Sequence, residues 1–282
     1  MRILLFLALC AFCAETPVAP AKKSRELAGE IVEFRTADGW TITGQFQPPG
    51  KDQLTFILLH ESSGRRQNWY WLARRMAGRG IGYFAIDLRG HGQSQKPPDG
   101  QPADWRKFKV GKDYNEYDNM REDIAAAAAF LTERGIEPEV VALAGAAVGG
   151  SVALRYAALH PEIAQVCLLS PGMSHQSIPT VNALRAFKDR PILMVMGDDD
   201  RRTAAEAPIL FEFAKRAVGP ENVQLIRVPK GHGTRMLYYN KGLIDQVLDW
   251  MENPIQPPDL TTEVSTDTAP APPQEPPKEF IR

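Results

Sequence analysis

Short apolar runs separated by helical stretches dominate the middle of this chain. The run at 54–59 reads LTFILL, apolar at nearly every position. Similar runs follow at 82–87, 140–144, 165–170, 191–196 and 223–228. A strand apolar toward both sides must be covered on both sides. Between the runs lie stretches of helical character at 69–78, 115–134, 149–159, 203–218 and 236–250, with a shorter one at 181–188. Strands alternating with helices require right-handed crossovers. They predict an α/β chain with a mainly parallel central sheet and helices on both faces. A hairpin precedes the series, because 31–35 and 40–46 alternate around Ala37, Asp38 and Gly39.

This pattern spans one domain, 29–252. The flanks differ. Arg2 followed by the apolar stretch 3–13 reads as an export signal, too short to cross a bilayer of ~30 Å. Cleavage after Cys13 puts the small residues Ala11 and Cys13 at the −3 and −1 positions. Leu9 before Cys10 and Phe12 before Cys13 fit lipoprotein processing poorly, so lipid anchoring is the lesser alternative to a periplasmic or secreted protein. Residues 14–28 read as a linker. Residues 253–282 carry eight prolines and few apolar side chains, too little to offset the entropy of ordering, and are expected to be a disordered tail. Signal removal leaves Cys167 as the one cysteine, so the mature protein needs no disulfide. Lys plus Arg is 33 and Asp plus Glu is 34; this balance gives no electrostatic case for nucleic acid or an anionic membrane as partner.

In parallel sheets, sites form beyond the carboxyl ends of the strands. The apolar runs are followed there by His60-Glu61-Ser62-Ser63-Gly64, Asp87-Leu88-Arg89-Gly90-His91-Gly92-Gln93-Ser94, Gly145-Ala146-Ala147-Val148-Gly149-Gly150, Gly197-Asp198-Asp199-Asp200 and Gly231-His232-Gly233. Taken in this order, the five segments resemble the α/β-hydrolase family over about 31–252. The resemblance implies the α/β-hydrolase fold and acyl-transfer chemistry. In that chemistry a serine on a sharp strand-to-helix turn attacks a carbonyl, a histidine takes its proton, and an acid holds the histidine. It places the base at His232 and the acid at Asp200, with Asp198 and Asp199 as alternatives. It places the oxyanion donors at the backbone N–H of Val148 and of Glu61 or Ser62.

One position departs from the pattern. The nucleophile of G-x-S-x-G falls on Ala147, which has no oxygen. Ser151 lies about one helical turn (~5.4 Å) further on, and a packing or surface role is favoured for it. Ser62 and Ser63 read as turn residues. The resemblance therefore implies a hydrolase-like protein impaired in serine chemistry. The alternative is a hydrolase of ester or amide bonds that uses His232 and Asp200 with water or another serine. A small molecule, an ester or a peptide is the ligand class implied. No cofactor or metal is implied, since no phosphate-cradling loop or ligand-spaced His/Cys cluster occurs.

The remaining polar residues have plainer readings. His60 and Arg89 are expected to organise loops, and Asp87 and His91 to belong to a structural signature. Glu61 is balanced between a pocket-mouth carboxylate and a solvent-facing loop residue. His175 reads first as a polar loop histidine and second as a pocket-lining one. Trp69-Tyr70-Trp71 reads first as helix packing and second as a binding surface. About twenty residues join the runs at 165–170 and 191–196, too few for a large cap domain. An open pocket bordered by the insertion at 95–115 is expected.

Overall fold

The computed structural model describes residues 26–111 and 113–254. The expected signal peptide, most of the linker and nearly all of the proline-rich tail lie outside the described residues. The strands are β1 (Glu30–Arg35), β2 (Thr41–Gln47), β3 (Thr55–Leu59), β4 (Gly82–Ile86), β5 (Val141–Ala146), β6 (Val166–Leu169), β7 (Ser174–His175), β8 (Ile178–Pro179), β9 (Ile192–Gly197) and β10 (Val223–Val228). The helices are α1 (Tyr70–Gly78), α2 (Met120–Glu133), α3 (Val148–Leu159), α4 (Val181–Phe187), α5 (Arg201–Val218), α6 (Met236–Tyr239) and α7 (Leu243–Glu252).

Eight strands form one sheet in the order β1-β2-β4-β3-β5-β6-β9-β10, while β7 and β8 pair separately. The β1–β2 and β2–β4 pairs are antiparallel and the others in the large sheet are parallel. This is the α/β-hydrolase architecture. Strand β3 has β4 on one side and β5 on the other, so the chain reverses its direction of travel across the sheet there. Crevices for ligands open at such a reversal.

The period of two along each strand divides the core. Ile57, Leu59, Ile86 and Leu143 face one side, against Ile124 of α2, Val152 of α3 and Leu210 of α5. Phe56, Leu58, Ala85 and Val195 face the other, against Leu72 and Met76 of α1 and Val247 of α7. Each fully buried side chain of this size contributes about 1.5–3 kcal/mol. That is why the parallel strands read as unbroken apolar runs.

Three boundaries differ from the sequence reading. The helix expected over 115–134 starts at Met120, because the Asn115 Oδ1 accepts the N–H of Tyr117 at 3.0 Å and turns the chain first. The helix expected over 236–250 is interrupted between Tyr239 and Leu243, where Gly242 adopts φ 84°. Leu27 and Ala28, assigned to the linker, join the domain. Leu27 is buried and its carbonyl accepts from Gln45 Nε2 at 2.6 Å, while that of Ala28 accepts from the Tyr83 hydroxyl at 2.7 Å. Between β6 and β9 there is room only for the β7–β8 ribbon and α4, and no cap domain is present.

Candidate active site

Strand β5 ends at Ala146 and α3 begins at Val148, so Ala147 alone makes the turn. Its backbone has φ 46° and ψ −110°, a region that side chains with a Cβ avoid. The two flanking glycines enforce this. A Cβ on Gly145 would lie 2.5 Å from the Gly149 carbonyl oxygen. A Cβ on Gly149 would lie 2.5 Å from the Leu59 carbonyl oxygen and 2.6 Å from that of His60. The Ala147 N–H donates to the Leu169 carbonyl at 2.9 Å, pinning the turn to β6. A strained elbow is thus fully formed around a methyl group. The N–H of Val148 opens α3, where helix geometry supplies no acceptor four residues back.

The loop after β3 faces this turn. The His60 Nδ1–H donates to the Glu61 carbonyl at 2.8 Å and its Nε2 accepts the Leu88 N–H at 3.1 Å. The bond accepted at Nε2 requires the neutral ring, and burial holds the His60 pKa down in agreement with it. Glu61 is not solvent-facing: it is buried at 8% exposure. Its Oε1 accepts from Asn68 Nδ2 at 2.9 Å and from the Thr234 hydroxyl at 2.8 Å, while Oε2 is buried without a hydrogen-bond partner among the described residues. Ser62 makes a distant 3.4 Å contact from its Oγ to Gln176 Nε2, and its carbonyl lies 2.6 Å from His91 Nε2.

The acidic run after β9 separates by geometry. Asp198 pairs with Arg227 at 3.0 Å, and Asp199 accepts the Gly231 N–H at 2.6 Å. Asp200 accepts from His232 Nδ1 at 2.6 Å and from the Thr203 hydroxyl. Burial alone would raise the Asp200 carboxyl, but the hydrogen bonds from His232 and Thr203 outweigh it and hold its pKa below the usual value. Among the described residues the His232 Nε2 has no hydrogen-bond partner, and the side chain is 46% exposed. An imidazole held at Nδ1 by a carboxylate and open at Nε2 is arranged to accept a proton.

Ser170 escaped the sequence reading, and His175 takes the second of its two readings. The Ser170 Oγ accepts the Gly233 N–H at 2.8 Å and fixes the histidine loop to the end of β6. His175 is buried rather than a polar loop residue, and its ring centre lies 6.4 Å from that of His232. Burial lowers the His175 pKa, with the nearby Arg202 charge acting the same way. Ser170 stands at a strand end beside the elbow strand, and that position was the available signal.

The other assignments fall outside the chemistry. Ser151 is buried at 3% exposure inside α3, and nothing hydrogen-bonds its Oγ, His232 included. Asp87 accepts the backbone N–H groups of Arg66 at 2.7 Å and Gln93 at 3.0 Å and pairs with the Arg66 side chain. His91 stacks on Trp105 with ring centres 5.2 Å apart. Arg89 joins Asp123 at 2.8 Å to Asp38 at 2.6 Å. The insertion at 95–115 contributes Trp105 to the stack on His91, and none of its residues lines the cleft beside Asn68 and Thr234. No group of three His, Cys, Asp or Glu among the described residues is placed to hold a metal. No helix among them is long and apolar enough to cross a membrane.

Comparisons with known proteins agree with this fold. The family model for serine aminopeptidase, S33, matches residues 58–192. An AB hydrolase superfamily protein, YisY of Bacillus subtilis (strain 168), is 29% identical over 116 residues, covering 40% of this chain and 36% of its own. The polyketide transferase ATR5 of Stachybotrys chlorohalonatus (strain IBT 40285) is 27% identical over 193 residues, 62% of this chain and 59% of that protein. The matches therefore span less than two thirds of either relative. Among solved structures, the Pyrococcus furiosus esterase Pf2001 superposes with a TM-score of 0.64 at 19% identity, covering 82% of this chain and 95% of the esterase. Dienelactone hydrolase from Anabaena variabilis ATCC 29413 gives 0.61 at 18% identity, over 82% and 99% of the two chains.

Proposed function

This chain belongs to the α/β-hydrolase family, and from that premise we propose that it is an exported protein impaired in serine hydrolase chemistry. Its retained pocket binds a small-molecule, ester or peptide ligand. The observation that carries the reading is Ala147, which occupies the strained turn of a nucleophile and brings only a methyl group to it. Losing the serine of a triad costs ~10⁶ in turnover in the subtilisin example, and oxyanion stabilisation with binding leaves ~10³–10⁴ over water. Glu61 supports the same reading, because a buried carboxylate in the loop after β3 places negative charge near where an oxyanion would develop. The relatives named above include an esterase, a lactone hydrolase and a transferase, and these suggest a carbonyl-bearing ligand.

A second reading has one observation in its favour. Asp200 and His232 are joined at 2.6 Å with Nε2 open, so the pair could activate water directly. General-base catalysis of that kind is worth about 10²–10⁴.

The test is hydrolysis of a short activated aryl ester by the natural chain, Ala147→Ser and His232→Ala. The expected outcome is a buffer-level rate for the natural chain and a clear gain for Ala147→Ser. Turnover by the natural chain that His232→Ala abolishes would overturn the proposal in favour of water activation. Export is tested separately by N-terminal sequencing of the mature protein, expected to begin at Ala14.

A further inference from the structure

A cleft of about 780 Å³ opens between the loop after β3, the start of α1 and the start of α6. Its size lies within the ~300–1,000 Å³ range of ligand pockets. Four aromatic side chains line it: Tyr70, Trp71, Tyr238 and Tyr239. Tyr238 is 58% exposed and Tyr239 48%. They form a continuous surface, with ring centres 5.2 Å apart for Tyr70–Trp71, 5.7 Å for Trp71–Tyr238 and 5.2 Å for Tyr238–Tyr239.

The polar lining has a definite charge. Arg65 and Arg235 both border the cleft, both are exposed, and neither has an ion-pair partner among the described residues. The Lys230 ammonium sits 5.0 Å from the Tyr239 ring centre and adds a third cation beside it. Glu26 on the rim is the one acid in the lining. The floor is fixed in place, because Asn68 and Thr234 both hydrogen-bond the buried Glu61 Oε1.

We propose that this cleft binds an acidic oligosaccharide, with sugar rings on the aromatic surface and ring carboxylates on Arg65 and Arg235. Aromatic rings offer an apolar face to the C–H side of a sugar while their polar tips reach hydroxyls. The planar guanidinium fork matches a carboxylate with two parallel hydrogen bonds, which a lone ammonium cannot do. Asn68 and Gln67 supply amides at the same wall. No elbow residue lines the cleft, and its occupancy does not depend on whether His232 and Asp200 support catalysis.

The test is calorimetric titration of the full chain with a short oligogalacturonate, beside neutral maltotetraose, at low and high salt. Arg65→Gln/Arg235→Gln and Trp71→Ala are titrated in parallel, with unchanged thermal melting required of each. The expected result is saturable oligogalacturonate binding that weakens at high salt. It falls at least about tenfold in each variant, while maltotetraose binds far more weakly. Absence of saturable binding overturns the proposal. So does equal affinity for maltotetraose, which would leave the arginines without a role. Binding that both variants retain would place the sugar elsewhere and overturn it too.

Discussion

Thr234 donates its hydroxyl hydrogen to Glu61 Oε1 at 2.8 Å, a buried bond between residues 173 positions apart that ties the loop after β3 to the loop bearing His232. A hydrogen bond to a buried charge is worth about 1.5–3 kcal/mol. Thr234→Val keeps the shape and removes the donor, leaving Glu61 with Asn68 as its one donor. Urea denaturation is expected to show a loss of about 1.5–3 kcal/mol. A loss within error of zero would mean that the carboxylate is neutral or solvated.

The turn at Ala147 predicts an inverted response to glycine. In β5, Ala144→Gly removes a buried methyl and adds chain entropy, at a cost of about 1 kcal/mol or more. At Ala147 the same losses are set against relief of backbone strain worth about 1–3 kcal/mol. Ala147→Gly is therefore expected to be neutral or mildly stabilising in thermal unfolding, and Ala144→Gly destabilising. Equal losses at both positions would show that φ 46° carries no strain.

If Ala147→Ser restores ester hydrolysis, Asp200→Asn in that background should reduce it by ~10²–10⁴, since the amide can hold the wrong imidazole tautomer. Asp198→Asn should not, because Asp198 pairs with Arg227 instead. Steady-state rates of the two double variants decide the matter. A comparable loss from Asp198→Asn would reassign the acid.

Acid should weaken the fold in a defined window. Burial lowers the pKa of His60 and His175 from 6.5, and that of His91 to about 4, with the His60 ring also acting on His91. The unfolded chain then binds protons that the native state does not, so stability falls as pH drops below about 6.5. Denaturant midpoints measured from neutral pH to pH 5 should decline steadily. His60→Gln should flatten that slope while lowering the plateau, because it removes one titrating group and two buried hydrogen bonds. A flat profile in the natural chain would sink this account.

Cys167 in β6 is wholly buried, and burial pushes its thiol up to about 12. A thiol reagent at neutral pH should therefore label it only after denaturation. Rapid labelling of the folded protein would reveal opening of the central sheet.

The parallel strands were legible because both-face burial erases their polar positions, and the elbow was legible because Gly145 and Gly149 have no substitute at their backbone approaches. That His232 pairs with a carboxylate of the run 198–200 followed from the resemblance to the α/β-hydrolase family. The three consecutive carboxylates could not be sorted by sequence, since their separation depends on where Arg227, Gly231 and His232 arrive from 29 to 32 residues away. Glu61 and His175 were hidden for a related reason. Glu61 in a polar stretch looks solvated until the distant Thr234 closes over it, and His175 looks solvated until the chain folds back on the Ser170 carbonyl five residues before it. Helix ends failed where a side chain or a glycine intervened, as at Asn115 and Gly242.

The elbow around Ala147 differs from a nucleophile-bearing one by a single oxygen atom, and the flanking glycines and the Leu169 carbonyl hold the shape regardless. The backbone of the turn is already in the conformation that such an atom would require. Alanine and serine codons are one base apart, so a lineage carrying this domain stands a single mutation from the opposite condition. Descent along such a lineage could pass between binder and catalyst repeatedly without the architecture registering the crossing.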